Sequence, residues 1–145
     1  MPDALAYGIK ENDILPEDYL QLREAVGFFK HSLEMAQASL KGSLYVVHIE
    51  TGGRTVGMAR VLGDGAQVFV IQDVIVLPEH QGKGLGRTLM ERVMHYIKTN
   101  AVYPGRAMVL LFAFKGKEGF YRKFGFFTRP NETMGPGMMH FCFID

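Results

Sequence analysis

The stretch that decides the fold is Asp73–Arg87, which reads DVIVLPEHQGKGLGR. Its first residues end an almost unbroken apolar run over positions 66–77, and such a run is typical of a strand covered on both faces of a sheet. Pro78 stops this strand, and apolar residues then recur at helical spacing from Gly84 to Lys98. The sequence therefore predicts a central strand, a glycine-rich loop and a long helix in direct succession.

The loop itself has the composition of an anion-binding turn. Gly82, Gly84 and Gly86 remove side chains where the backbone must approach a ligand, and the first N–H groups of the following helix have no partner inside the helix. The helix dipole adds positive potential, and Lys83 and Arg87 can contact a diphosphate. We expect the pyrophosphate of a nucleotide here, with a plain glycine-rich turn as the alternative.

Two common nucleotide-binding folds do not fit this loop. The chain has no G-x-x-x-x-G-K-[ST] run, which excludes a P-loop. A dinucleotide-binding unit needs its glycines in the first strand-helix unit and a carboxylate about 20 residues further on. Here the loop lies in mid-chain, and no carboxylate stands at positions 103–108.

The rest of the chain predicts a mixed sheet with helices around it. Before the loop we expect a strand over 5–10, a helix that opens at Asp13 or Pro16, and a second helix from Phe28 that ends at Gly42. Two strands follow over 43–50 and 55–62, each ending in a tight turn. After the loop we expect a buried strand over 107–114, a short helix over 117–124 and closing strands over 126–129 and 138–144. This order favours an α/β (α+β) fold, and we expect one domain over 1–145.

Bulk composition narrows the class of protein. The chain has 145 residues with a net charge of +1, which argues against a partner that is bound through nucleic-acid phosphates. A single cysteine excludes an intrachain disulfide, and we find neither a targeting segment nor an apolar run long enough to span a bilayer. We therefore expect a cytoplasmic protein without a nucleic-acid or membrane partner. A homodimer built through the last strand is an open alternative.

Two motifs resemble those of one known family. QGKGLG over Gln81–Gly86 matches the Q/R-x-x-G-x-G/A signature of the GNAT acetyltransferase superfamily, and FYRKFGF over Phe120–Phe126 is similar to its second motif, F-Y-x-K-x-G-F. The two motifs stand in the family's order with a strand between them. The resemblance covers Thr55–Phe126 well and the first 50 residues by element order.

This resemblance implies a fold and a co-substrate. The fold would be a mixed, mostly antiparallel central sheet that is flanked by helices and splayed at the acetyl-CoA cleft. Acetyl-CoA would be the co-substrate, without a metal. The strand backbone would pair with the pantetheine amides, and the loop would hold the pyrophosphate. The implied binding residues are Val74, Ile75, Val76, Gln81, Gly82, Lys83, Gly84, Leu85, Gly86 and Arg87.

The resemblance also assigns a general acid, and it leaves the base open. Tyr121 would protonate the CoA thiolate as it leaves, which is reasonable because a phenol can donate to a developing thiolate. The base is less evident, since the strand over 107–114 has no titratable side chain and Phe114 stands where the family frequently has asparagine. Asp73 is the leading substitute, as a base or as a carboxylate that only orders the sheet. Gln72, which we expect on the face of Val74 and Val76, could position a water.

The implied function is transfer of an acetyl group from acetyl-CoA directly to a primary amine of a small molecule. Direct transfer is preferred because no cysteine lies near the motifs. Two alternatives stay open. One is an acyl-CoA-binding or sensing module with weak catalysis, which the missing base supports. The other is an acetyltransferase that acts on a peptide or protein amine.

Overall fold

A five-stranded sheet forms the centre of the protein. The structure is a computed structural model that describes residues 6–144, so part of the predicted first strand, including Leu5, lies outside the described residues. The strands are β1 (Gly8–Glu11), β2 (Tyr45–Thr51), β3 (Arg54–Gly63), β4 (Val68–Val76) and β5 (Met108–Leu110). They lie in the order β1-β2-β3-β4-β5; the first four are antiparallel neighbours, and β5 runs parallel to β4. The predicted mixed, mostly antiparallel sheet is confirmed.

The α-helices of residues 6–144 are α1 (Pro16–Ala25), α2 (Leu33–Lys41), α3 (Leu85–Asn100) and α4 (Glu118–Arg122). The second helix begins later than the sequence predicts, because Ser32 is its N-cap and accepts a hydrogen bond from the Met35 amide at 3.1 Å. Phe28 therefore lies in the connection between α1 and α2. No helix among residues 6–144 is both long and apolar enough to cross a membrane.

The helices α1 and α3 cover opposite faces of the sheet. On one face α3 buries its apolar stripe, which consists of Leu85, Leu89, Met90, Val93 and Ile97. A side chain at Gly57 would stand 3.6 Å from Leu89, so Gly57 faces α3. Arg60 lies three residues further along β3 and therefore faces the other side, where α1 packs. Both faces of β3 and β4 are thus covered, and for β4 the apolar run over 66–77 predicts this.

The end of the chain differs from the prediction. The described chain divides into two compact units between Leu111 and Phe112. The strand predicted over 107–114 shrinks to Met108–Leu110, and Phe112 and Phe114 are 59% and 57% exposed, so the prediction of a long buried strand is wrong. The closing strands predicted over 126–129 and 138–144 do not form in the described residues either. A strand needs a hydrogen-bonded neighbour, and an apolar pattern alone does not supply one.

Candidate active site: a splayed strand, a glycine loop and a buried ion cluster

One edge of β4 is open along most of its length. β5 pairs with Val68, Phe69 and Val70, and beyond Val70 the described residues place no strand on this edge. On the opposite edge the Leu77 amide donates to the Val56 carbonyl of β3 at 2.9 Å. Because backbone groups alternate in direction along a strand, those of Val74 and Val76 point to the open edge. The predicted splay therefore exists, and it exposes hydrogen-bonding backbone next to the loop.

Of the three strand residues predicted to pair with pantetheine, two are oriented for it. Val74 directs its amide and carbonyl to the open edge, and Val76 directs its amide there while its carbonyl accepts a hydrogen bond from Gln81 Nε2. Ile75 lies opposite Met58 and directs its own backbone groups toward β3. The sequence could not distinguish them, since the direction of a backbone group depends on which edge the partner strand occupies.

A β-bulge interrupts β4 at Asp73. Gln72 lies opposite Arg60 and Ile75 lies opposite Met58, so β4 has one more residue than β3 between these pairs. Asp73 has φ of 54°, in the left-handed region that aspartate tolerates better than most residues. The extra residue shifts the alternation of faces. Gln72 therefore does not share a face with Val74 and Val76, and that prediction is wrong.

The Asp73 carboxylate is at the centre of a buried ion cluster. Its side chain is 3% exposed, and Arg23 of α1 and Arg60 of β3 are each 11% exposed. Arg23 Nη1 donates to Oδ1 at 2.7 Å, while Arg60 Nε and the Tyr19 hydroxyl donate to Oδ2 at 2.6 and 2.8 Å. Burial raises the pKa of Tyr19, and the negative charge of Asp73 adds to this effect, so the phenol stays a donor. We call Tyr19, Arg23, Arg60 and Asp73 the arginine cluster.

The glycine loop joins the C-terminal end of β4 to α3. A single 3-10 turn over Pro78–His80 leads to Gln81, whose Nε2 donates to the Val76 carbonyl at 2.9 Å and ties the loop to the strand end. Gly82 and Gly84 have φ of 77° and 80°, a region in which residues with side chains are strained. A β-carbon at either glycine would meet no atom within 4 Å, so the surface beside them is open.

The N-terminus of α3 has the features of an anion site. Gly84 is the N-cap, no side chain caps this end, and the first turn contains no acidic residue. The first helical hydrogen bond runs from the Thr88 amide to the Gly84 carbonyl, which leaves the amides of Leu85, Gly86 and Arg87 without a helical acceptor. All three amides belong to the predicted pyrophosphate-binding segment, and the helix dipole favours an anion there.

Two cationic side chains flank the loop. Arg87 Nε pairs with Glu91 at 2.8 Å, while the ion pairs of the described residues include none for the exposed Lys83. His80, which precedes the glycines of the loop, is within hydrogen-bonding distance of another side chain, because its Nδ1 lies 2.9 Å from the Tyr7 hydroxyl. Lys83 is therefore the cation most readily available to a diphosphate.

Tyr121 lies in the second compact unit, on the short helix α4. Its ring is half-buried and makes edge-to-face contacts with Phe120 and Phe126, at centroid distances of 5.0 and 6.3 Å. Burial raises the pKa of Tyr121 above its ordinary value. The phenol therefore keeps its proton at neutral pH, as a general acid must.

Comparison with known proteins decides the family. Residues 41–127, which contain both sequence motifs, match the profile of the Acetyltransferase (GNAT) domain. The chain belongs to the GNAT acetyltransferase family. A crystal structure of a probable acetyltransferase from meticillin-resistant Staphylococcus aureus has 34% sequence identity and a TM-score of 0.83, and the match covers 94% of this chain and 100% of that one.

Curated GNAT relatives differ in what their names say they acetylate. A chloroplastic serotonin N-acetyltransferase of Oryza sativa subsp. japonica is 36% identical over 115 residues, which cover 76% of this chain and 55% of the relative. A histone acetyltransferase of Glycine max is 31% identical over 134 residues, or 85% of this chain and 56% of the relative. The chain thus spans little more than half the length of these two relatives, and they point to different classes of amine.

Sequence reasoning missed Tyr19, Arg23 and Arg60 of the arginine cluster, and it missed His31, which lies near them. His31 lies in the α1–α2 connection directly before the Ser32 cap of α2. Burial lowers the pKa of His31, and the positive charge of Arg23 adds to this effect. Arg23 also donates to the Phe29 carbonyl at 3.2 Å, which fixes the backbone two residues before His31. A histidine just before a helix cap carries no recognisable signal in the sequence, because its proximity to Arg23 depends on how α1 and α2 pack.

No group of three or more His, Cys, Asp or Glu side chains in residues 6–144 is arranged to hold a metal ion. Within the first compact unit, the candidate site contains backbone donors and two groups of basic residues, at the glycine loop and in the arginine cluster, and β4 connects these two places.

Proposed function

We propose that the protein transfers an acetyl group from acetyl-CoA directly to a primary amine of a small molecule. The observation that supports this most is the continuity of the open edge of β4 with the anion site at α3. Backbone groups of Val74 and Val76 suit the amides of a pantetheine arm, and the α3 amides suit the pyrophosphate at its end.

This arrangement gives the direction in which the co-substrate would lie. With the pyrophosphate at Gly82–Arg87, the arm would run back along β4 past Val76 and Val74, and the thioester would come near the bulge at Asp73. The amine nitrogen would then attack the thioester carbonyl, a C–N bond would form and the C–S bond would break. Tyr121 would donate its proton to the departing thiolate.

Asp73 retains the two roles that the sequence leaves open. Its three hydrogen bonds, two of them from arginines, favour the role of a carboxylate that holds the arginine cluster together. Oδ1 accepts one of these bonds and has room for another, so the role of proton acceptor stays a prediction. In either role the residue lies at the acyl end of the proposed site.

A small acceptor is favoured over a histone-like peptide by the charge at the acyl end. The arginine cluster has two guanidinium groups for one carboxylate, so the further basic residues of a histone-like peptide would be repelled there more than the single ammonium of a small acceptor. The histone acetyltransferase among the relatives supports the peptide alternative, so both classes belong in the assay.

Steady-state release of CoA thiol from acetyl-CoA tests this function. The panel would contain small amines, amino acids, amino sugars, polyamines and peptides. Turnover with a small amine supports the proposal, and turnover confined to peptides refutes the substrate class. Tight binding of acetyl-CoA without turnover on any acceptor would favour the sensing alternative.

Tyr121→Phe separates an enzyme from a sensing module in the same assay. An enzyme should lose turnover and keep its affinity for CoA, because only the proton that reaches the thiolate is removed. The cytoplasmic location and a homodimer stay predictions.

A further inference from the structure

The arginine cluster contains more positive charge than its own residues neutralise. Arg23 and Arg60 both pair with the single carboxylate of Asp73, and the ion pairs of the described residues give neither arginine a second carboxylate. The cluster therefore carries a net charge of one positive unit while both arginine side chains are mostly buried. Buried charges without a counterion are unfavourable, so an excess of this kind calls for an explanation.

Contacts with neutral groups stabilise the two buried arginines in part. The guanidinium of Arg23 stacks near the rings of Phe28 and Tyr19, at 5.1 and 5.7 Å from their centroids, and Arg60 lies 5.7 Å from the Tyr19 ring. Arg60 Nη1 also donates to the Ser43 hydroxyl at 3.3 Å. These neutral groups solvate the cations without cancelling the charge.

Arg23 also retains an unused donor. Its Nε is buried and has no hydrogen-bond partner among the described residues, whereas Nη1 and Nη2 bond to Asp73 and Phe29. A buried donor without an acceptor typically costs about 1–3 kcal/mol, and guanidinium donors are suited to two-pronged contacts with carboxylate or phosphate. The unused donor therefore shows that the described residues leave the guanidinium of Arg23 incompletely bonded.

The positive potential extends to the surface of the α1–α2 connection. His31 is only half-buried, and the arginines contribute to the lowering of its pKa. The two arginine side chains keep 11% of their surface exposed, so the cluster is not sealed. An anion that approaches beside His31 would meet a favourable field.

We propose that Arg23 and Arg60 bind an anionic group, a carboxylate or a phosphate, on the acceptor amine. This inference rests on the proposed function, because it places the acceptor at the acyl end of β4, where Asp73 directly precedes Val74. It names the acceptor class as amines with a negative charge near the nitrogen.

Matched pairs of acceptors test this specificity. Each pair differs by the anionic group alone: phenethylamine and phenylalanine, putrescine and ornithine, glucosamine and glucosamine 6-phosphate. We expect kcat/KM to be about ten- to hundredfold higher for the anionic member of at least one pair, as for charge-assisted hydrogen bonds. The first two pairs report on carboxylate and the third on phosphate. Equal use of both members in every pair would overturn the inference and leave the proposed function intact.

Variants of Arg23 show whether the cluster causes the preference. Arg23→Met removes the donors of the side chain. Arg23→Lys removes the guanidinium fork and keeps the positive charge beside Asp73, so the second variant should stay folded even if the first does not. Either variant should bring the kcat/KM ratio of the preferred pair close to one and leave the KM for acetyl-CoA unchanged. Arg92→Lys is the matched control, because Arg92 pairs with Glu11 on the exposed side of α3. A preference that survives both Arg23 variants would refute the assignment.

Direct binding gives a readout that does not need turnover. NMR titration of His31, assigned with His31→Gln, would follow its pKa in the presence of CoA with added 3-phenylpropionate or inorganic phosphate. A bound anion should raise the pKa of His31, and the effect should be lost in Arg23→Met. Absence of any shift would overturn the inference, whereas a shift without turnover on any amine would refute only the proposed function.

Discussion

Replacement of Asp73 by asparagine should destabilise the protein more than any surface charge replacement. The carboxylate accepts hydrogen bonds from Tyr19, Arg23 and Arg60 at 2.6 to 2.8 Å, and its side chain is 3% exposed. Removal of one partner from a buried ion pair typically costs about 3–5 kcal/mol, since the other charges remain buried without compensation. Asparagine keeps one acceptor oxygen and tolerates the φ of 54°, so the backbone should contribute little to the loss.

Urea unfolding measures this loss. With a slope of about 2 kcal/mol per molar urea, a loss of about 4 kcal/mol would lower the unfolding midpoint by about 2 M. Glu79→Gln is the matched control, because it removes a carboxylate from an exposed ion pair. The side chains of Arg54 and Glu79 in this pair are 63% and 52% exposed. That pair should contribute less than about 1 kcal/mol.

A second substitution checks the electrostatic cause. Addition of Arg23→Met to Asp73→Asn removes one of the cations left without compensation, so the double variant should lose less stability than the sum of the single variants. If Asp73→Asn unfolded at the same urea concentration as Glu79→Gln, the argument that a buried ion cluster stabilises this bulge would be wrong.

Three further predictions concern the phenol, the loop and the strand under α3. Tyr121→Phe should lower kcat by about a hundredfold or more with the KM for acetyl-CoA unchanged. In the unmodified protein, any alkaline loss of kcat that comes from Tyr121 should lie above the ordinary titration range of tyrosine, because burial raises the pKa of this phenol and keeps it protonated. Gly84→Ala should raise the KM for acetyl-CoA about tenfold, because Gly84 lies in the glycine loop. Gly53→Ala is the control: both glycines have a positive φ and open surroundings, but Gly53 lies outside the loop, so its replacement should lower stability and leave this KM unchanged. Equal KM values in these two variants would contradict the anion site. Gly57→Ala should lower the free energy of unfolding by about 1–3 kcal/mol, because its new β-carbon would stand 3.1 Å from the Ile75 carbonyl oxygen. Thermal unfolding measures this change. An unchanged melting temperature would mean that β3 and β4 can move apart at this point without a loss of stability.

Local features of the sequence were sufficient to predict the loop, the long helix and most of the sheet. Gly82 and Gly84 have the positive φ that their residue type permits, and α3 follows the apolar spacing found after Gly84. Strand-like apolar segments joined by glycine-containing turns predicted the hairpins of β2, β3 and β4. These features depend on neighbouring residues, which is why one sequence reveals them. The motifs of the loop and of α4 predicted the family in the same way.

Predictions that depended on distant partners were less successful. The apolar residues over 107–114 read as one long strand, yet β5 ends at Leu110. The length of β5 depends on how many of its residues lie beside β4 and form hydrogen bonds with it, and the sequence of the segment does not contain that information. The same reason applies to the closing strands expected over 126–129 and 138–144.

The sequence by itself predicted an anion-binding loop and the family, because glycines at a helix start act through local backbone geometry. Only the tertiary structure decided what Asp73 contacts. Tyr19, Arg23 and Arg60 stand 54, 50 and 13 residues away from it along the chain, and a bulge in β4 brings the carboxylate to all three. The net charge of the arginine cluster is the sum over these distant residues, so it exists only once α1 has packed on the sheet.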